Sequence, residues 1–139
     1  MRIAVIVVVV VVVLAVGLAA YVRLAPSDPQ RWHRMPDDVA ERDFSSGAMR
    51  VVPGGAGDLA RLHGIIAGSA RTTVLAGSVE DGMITYVSRS KLMGFPDYTT
   101  VQQAGGDIRL YARQRFGSSD LGVNAGRVDG WLNRFREGG

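Results

Sequence analysis

From Ile3 to Val22 the chain runs for twenty residues without a charge, and the run includes the unbroken valine stretch Val7–Val13. A helix rises about 1.5 Å per residue and a bilayer's hydrocarbon core is about 30 Å thick, so a segment of this length can cross it. Arg2 gives the basic start of a secretory signal, and Leu18-Ala19-Ala20 could pass for a cleavage site. A signal's apolar stretch covers only about 7–15 residues, however, and this one continues through Tyr21 to Arg23. The reading is therefore an uncleaved single-pass anchor over residues 1–23 in the cell membrane, with the lipid bilayer as first partner. Tyr21 and Arg23 stand where interfacial aromatic and snorkelling side chains belong. An amino-terminal tail of only two residues resembles a signal-anchor start, which puts the remainder on the periplasmic side.

The chain beyond the span suits one domain and leaves no room for two. Sixteen Lys and Arg stand against thirteen Asp and Glu, and Lys91 is the sole lysine. That balance makes too weak a field for a nucleic-acid partner, and none is expected. The absence of cysteine excludes disulfides, thiolate metal sites and a cysteine nucleophile. His33 and His63 have no companion at metal-ligand spacing, so no metal and no cofactor is expected.

Residues 24–57 carry Pro26, Pro29, Pro36 and Pro53, the pair Gly54-Gly55, and no sustained period. They read as a tether and extended lead-in, with a short strand around Met49–Val52 and with Trp32 docking on the domain or lying at the lipid interface. Residues 58–139 read as the folded domain. Asp58 is the expected cap of a helix carrying Leu59, Leu62, Ile65 and Ile66, ending near Gly68. Four strands come next, at Thr72–Val79, Met83–Ser90, Tyr98–Gln103 and Asp107–Phe116. Asn124 is the expected cap of a last helix with Val128, Trp131, Leu132 and Phe135 on one face. The short turns Glu80-Asp81-Gly82 and Gly105-Gly106 permit only antiparallel neighbours. The fold class is α+β, with a mostly antiparallel sheet of four to five strands and two helices behind a transmembrane helix.

Period-two geometry puts Arg109, Tyr111, Arg113 and Arg115 on one strand face, opposite Ile108, Leu110 and Ala112. A row of guanidiniums is tolerated if it is solvated or if anions sit between its members. The bland reading is that Asp120 and Asn124 order a loop and cap a helix while Arg113 or Arg115 pins the strand to an acid. The sharper reading makes Arg89, Arg113, Arg115, Ser118, Asp120, Asn124 and Arg127 the walls of a site for an anionic small molecule such as a phosphate or carboxylate. Gly94, Asp97, Gly117 and Gly122 are read as structural. No catalytic residues are assigned: the serines lack a base and an elbow pattern, and nothing in the sequence fixes the distance between Asp97 and Asp120.

The segments Ile84–Ser90, Met93–Tyr98 and Arg115–Asn124, together with Arg127, resemble the domain-of-unknown-function family 1499. The ordered set Arg115, Gly117, Ser119-Asp120, Gly122, Asn124 and Arg127 carries most of the likeness, which spans about Asp58 to Phe135. The resemblance implies a small α+β domain, often behind a membrane anchor or lipoprotein signal, with no established activity. Where the family tends to place serines before its arginine, this chain has Ala112 and Gln114.

The resulting expectation is a membrane-anchored, non-enzymatic bacterial envelope module that binds an anionic ligand through its arginine-lined surface. The alternative is a structural protein that docks on another membrane or envelope protein. A third reading is a hydrolase using Asp97 and Asp120.

Overall fold

A computed structural model describes residues Met1–Gly138. Helix α1 (Arg2–Leu24) holds the apolar run as one continuous helix. It is long and apolar enough to cross a membrane. After it come a single turn, α2 (Pro29–Trp32), then strands β1 (Arg42–Phe44) and β2 (Gly47–Pro53), and helix α3 (Asp58–Ala67). Strands β3 (Thr72–Ser78), β4 (Met83–Arg89), β5 (Pro96–Ala104) and β6 (Asp107–Gln114) succeed them, and helix α4 (Val123–Glu137) is the last element.

The strands form one antiparallel sheet in the order β1-β2-β6-β5-β4-β3. The architecture is α+β, as the alternation and the turns require, but the sheet has six strands rather than four or five. The short strand expected around Met49–Val52 is β2, which is longer than expected and runs along β6, with Val52 opposite Ile108 and Ala48 opposite Ala112. The extra strand, β1, is three residues long, too short to show any period. It is fixed by Arg50 of β2, whose guanidinium bridges Asp43 at 2.7 Å and Asp129 of α4 at 2.8 Å.

Helices α3 and α4 cover one face of the sheet, where Leu62, Ile66, Ile84, Ile108, Leu110, Val128 and Leu132 are buried together. Burying each such side chain fully contributes roughly 1.5–3 kcal/mol of transfer free energy, so this layer dominates the stability of the domain. The predicted apolar faces of both helices point here: Leu59, Leu62 and Ile66 from α3, and Val128, Trp131, Leu132 and Phe135 from α4.

Both expected caps are displaced. Gly57, at φ +87°, is the N-cap of α3, and Asp58 sits in the first turn, where its carboxylate accepts from the Gly55 amide at 2.8 Å. Gly122, at φ +79°, is the N-cap of α4, and Asn124 lies inside the helix, fully buried. The carboxylate of Asp120 does the capping, accepting from the amides of Gly122 at 2.9 Å and Asn124 at 3.1 Å. Asp97 lies on β5, opposite Gln114.

In β4 every residue from Ile84 to Ser88 is buried, odd and even alike. Such a strand must be covered on both faces. The helices supply one cover, and residues 25–36 supply the other.

Candidate functional site

The seven candidate residues do not form one site: the sheet separates the three arginines Arg89, Arg113 and Arg115 from Asp120, Asn124 and Arg127. Arg113 extends from β6, and Arg115 from the position just past its end, on the face away from the helices. The segment after α1 crosses that face as a strap. Trp32 stacks on Tyr98, with ring centroids 4.1 Å apart and planes 15° from parallel. Ser27 Oγ and Tyr98 OH share a hydrogen bond of 2.6 Å, and His33 Nδ1 shares one of 2.8 Å with Thr85 Oγ1. The arginines hold the strap's backbone: Arg113 donates to the Trp32 carbonyl, and Arg115 donates to the Pro26 carbonyl at 3.0 Å and to Tyr98 OH at 3.1 Å.

Arg113 is 6 % exposed and, among the described residues, has no acidic partner. Its guanidinium donates to Thr100 Oγ1 at 2.9 Å and to the Tyr111 carbonyl at 3.0 Å, and it lies over the Tyr111 ring at 4.3 Å. Burial pulls its pKa down to about 10, against the opposing influence of Tyr111 and Tyr98. The cation is thus stabilised by carbonyl dipoles and aromatic faces rather than by an anion.

Arg89 stands apart from these two, at the exit of α1. It donates to the Gly94 carbonyl at 3.0 Å and reaches the Val22 carbonyl at 3.5 Å.

Asp120, Asn124 and Arg127 lie on the helix-covered face with Asp97. Asn124 Nδ2 donates to Asp120 Oδ2 at 2.9 Å and to Asp97 Oδ2 at 3.3 Å. Arg127 donates to Asn124 Oδ1 at 2.8 Å and to Asp97 Oδ2 at 3.4 Å. The two carboxyls are pushed in opposite directions. Burial raises the pKa of Asp97 despite the nearby Arg127. Burial also acts upward on Asp120, but hydrogen bonds from the Asn124 side chain and from the Asn124 and Gly122 amides outweigh it and hold its pKa below the ordinary value.

Beside this cluster opens a cleft of about 360 Å³, lined by the apolar Phe95, Phe116 and Leu121 and by the polar Asp97, Gln114 and Asp120. Gln114 Nε2 is buried there without a partner among the described residues. Ser118 is exposed in the adjoining loop, and its neighbour Ser119 takes the place on the cleft wall. Gly94, Gly117 and Gly122 all have positive φ, at +71°, +98° and +79°, which glycine adopts without strain.

Sequence reasoning did not identify Tyr98 or Gln114. The signal available for Tyr98 was its place in strand alternation on the same face as the arginines; for Gln114 it was the departure from the serine that the family tends to place there. No group of three or more potential metal ligands occurs among the described residues.

No curated protein and no solved structure matches this chain. A family model described as "Protein of unknown function (DUF1499)" matches residues 22–135, a span that takes in the strap and β1 and β2 as well as the later strands. The chain therefore belongs to the DUF1499 family.

Proposed function

We propose that the chain is a single-pass, membrane-anchored, non-enzymatic module of the cell envelope, whose folded domain faces away from the cytoplasm and is mounted at a fixed attitude on the bilayer for a membrane or envelope partner. The docked strap carries this reading. A flexible tether would let the domain wander, whereas here the chain leaving α1 is stacked, hydrogen-bonded and held by two arginines within about ten residues of the span. Val22 is fully buried and Tyr21 packs edge-on against Phe116 at 6.2 Å, so the joint itself is packed. Arg113 and Arg115 are committed to strap carbonyls, which favours a positioning role for them over the capture of an external anion at that face.

The test is extraction of native membranes with alkaline carbonate, and then protease digestion of sealed vesicles. The full-length chain is expected to stay in the pellet and to be digested only from the outer face. Recovery of the intact chain, apolar start included, in a detergent-free supernatant overturns the reading.

A second reading, acid–base chemistry in the cleft, is favoured by one observation. Neighbouring carboxyls whose environments drive them apart can serve as proton donor and charged partner. It requires turnover of a hydrolysable ester or glycoside that disappears on Asp97→Asn.

A further inference from the structure

A second recess, of about 460 Å³, opens where α1 enters the domain, and Arg23, Arg71, Arg89 and Lys91 line it together with Ser90 and Gly94. Four cations meet there, and among the described residues none of them has an acidic partner. Like charges brought this close raise one another's energy unless solvent or an anion lies between them. Three are also fixed in direction. Arg23 donates to the Leu92 carbonyl at 2.9 Å, Arg71 Nε to the Arg89 carbonyl at 3.1 Å, and Arg89 to the Gly94 carbonyl at 3.0 Å. Each guanidinium spends only part of its five N–H donors on these contacts, which leaves a preorganised set of donors facing the recess.

The backbone points the same way. Arg71 adopts φ +53°, a left-handed conformation that is uncommon for a residue other than glycine. It is held by the Arg89 amide, which donates to the Arg71 carbonyl at 2.9 Å. Gly94 closes the wall: a Cβ there would lie 2.9 Å from the Arg23 side chain.

Position chooses among anions. Arg23 belongs to the last turn of the apolar helix, and Leu92, 83 % exposed, stands beside Lys91 at the same end of the domain. On a helix that crosses the bilayer, this is headgroup depth, where basic and apolar side chains meet phosphate and acyl chain respectively. We infer that the recess formed by Arg23, Arg71, Arg89 and Lys91 binds the phosphate of an anionic phospholipid headgroup. The inference rests on the membrane-anchored reading for its source of phosphate; the converging donors would suit a free phosphate equally, and the experiment separates the two.

The full-length chain is reconstituted in nanodiscs of phosphatidylcholine with increasing phosphatidylglycerol, and its melting temperature is monitored. Arg71→Gln/Lys91→Gln removes two exposed recess cations, and Arg109→Gln/Arg136→Gln removes two cations remote from the recess as a control for diffuse charge. The melting temperature is expected to rise with phosphatidylglycerol in the native chain and the control. In the recess variant, the phosphatidylglycerol fraction giving half the rise should increase by about tenfold or more, given the usual contribution of a basic residue near an anionic surface. No rise, or equal loss in both variants, overturns the inference. A recess-dependent rise produced by inorganic phosphate in pure phosphatidylcholine discs overturns the lipid assignment in favour of a soluble phosphate. Failure of the anchor itself is read separately, by release of the chain in alkaline carbonate.

Discussion

Trp32 lies flat on Tyr98, 4.1 Å between ring centres, although 66 positions separate them in sequence and one belongs to the segment after the apolar helix while the other is fully buried in the sheet. The pair joins the exit of α1 to the first, turn-proximal residues of β5. The same indole lies beneath two cations, with Arg31 4.9 Å and Arg113 5.6 Å from the ring centre.

Replacing Trp32 with Ala should therefore cost about 2–3 kcal/mol, since the indole is half-buried and loses both its stack and its cation contacts. Trp32→Phe keeps a ring over Tyr98 and should lose less than half as much. Thermal unfolding of the full-length chain in micelles measures both. Trypsin cleavage after Arg31 and Arg34 should accelerate in the Ala variant as the strap lifts.

Arg115→Met should lower stability by about 1 kcal/mol, because a partly exposed guanidinium loses its hydrogen bonds to Pro26 and Tyr98. The same unfolding measurement, with faster proteolysis of the strap, checks it. A change in anion affinity without either effect would return Arg115 to a ligand-binding role.

The glycines at Gly94 and Gly117 make a matched pair. Both have positive φ, but a Cβ at Gly94 would meet Arg23 at 2.9 Å, whereas at Gly117 the nearest atom is 3.6 Å away. Gly117→Ala should cost about 1–2 kcal/mol from backbone strain alone. Gly94→Ala should cost more and should also disturb the Arg23 contact, and Gly94→Ala with Arg23→Ala should recover part of the excess.

The two carboxyls of the cleft should titrate on opposite sides of the ordinary aspartate value, Asp97 above and Asp120 below, in carboxyl-detected NMR. For Asp97 the folded pKa exceeds the unfolded one. Its contribution is full below the unfolded pKa and is lost as pH rises through the folded value. The stability of the native chain relative to Asp97→Asn should therefore fall as pH rises from about 3 towards neutrality. Asp120 behaves conversely: its contribution is present above the unfolded pKa and is lost as pH falls through the depressed folded value.

Much of the domain was legible because its signals are local. The face of α4 announced itself through Val128, Trp131, Leu132 and Phe135, and the β4 to β6 meander through alternation and tight turns. The arginine row was correctly placed on one face, since period two fixes that without any tertiary knowledge. Its partner was not legible. Backbone carbonyls of Pro26 and Trp32 leave no trace in residue type, and a proline-punctuated segment without periodicity reads as a linker even when it packs. β1 escaped for a related reason, as three residues held by Arg50 and Asp43 carry no pattern of their own. The separation of Arg113 and Arg115 from Asp120, Asn124 and Arg127 arises from the sheet lying between them, which strand alternation could not reveal once the chain had left β6 through the loop.

The most direct test of the mounted domain is a distance across the strap. The chain has no cysteine, so nitroxide labels at Gln30→Cys and Glu80→Cys report a single pair, and pulsed electron spin resonance in nanodiscs gives their separation. A docked strap predicts one narrow distance distribution, which broadens on Trp32→Ala. A broad distribution in the native chain, unchanged by that substitution, would contradict the account.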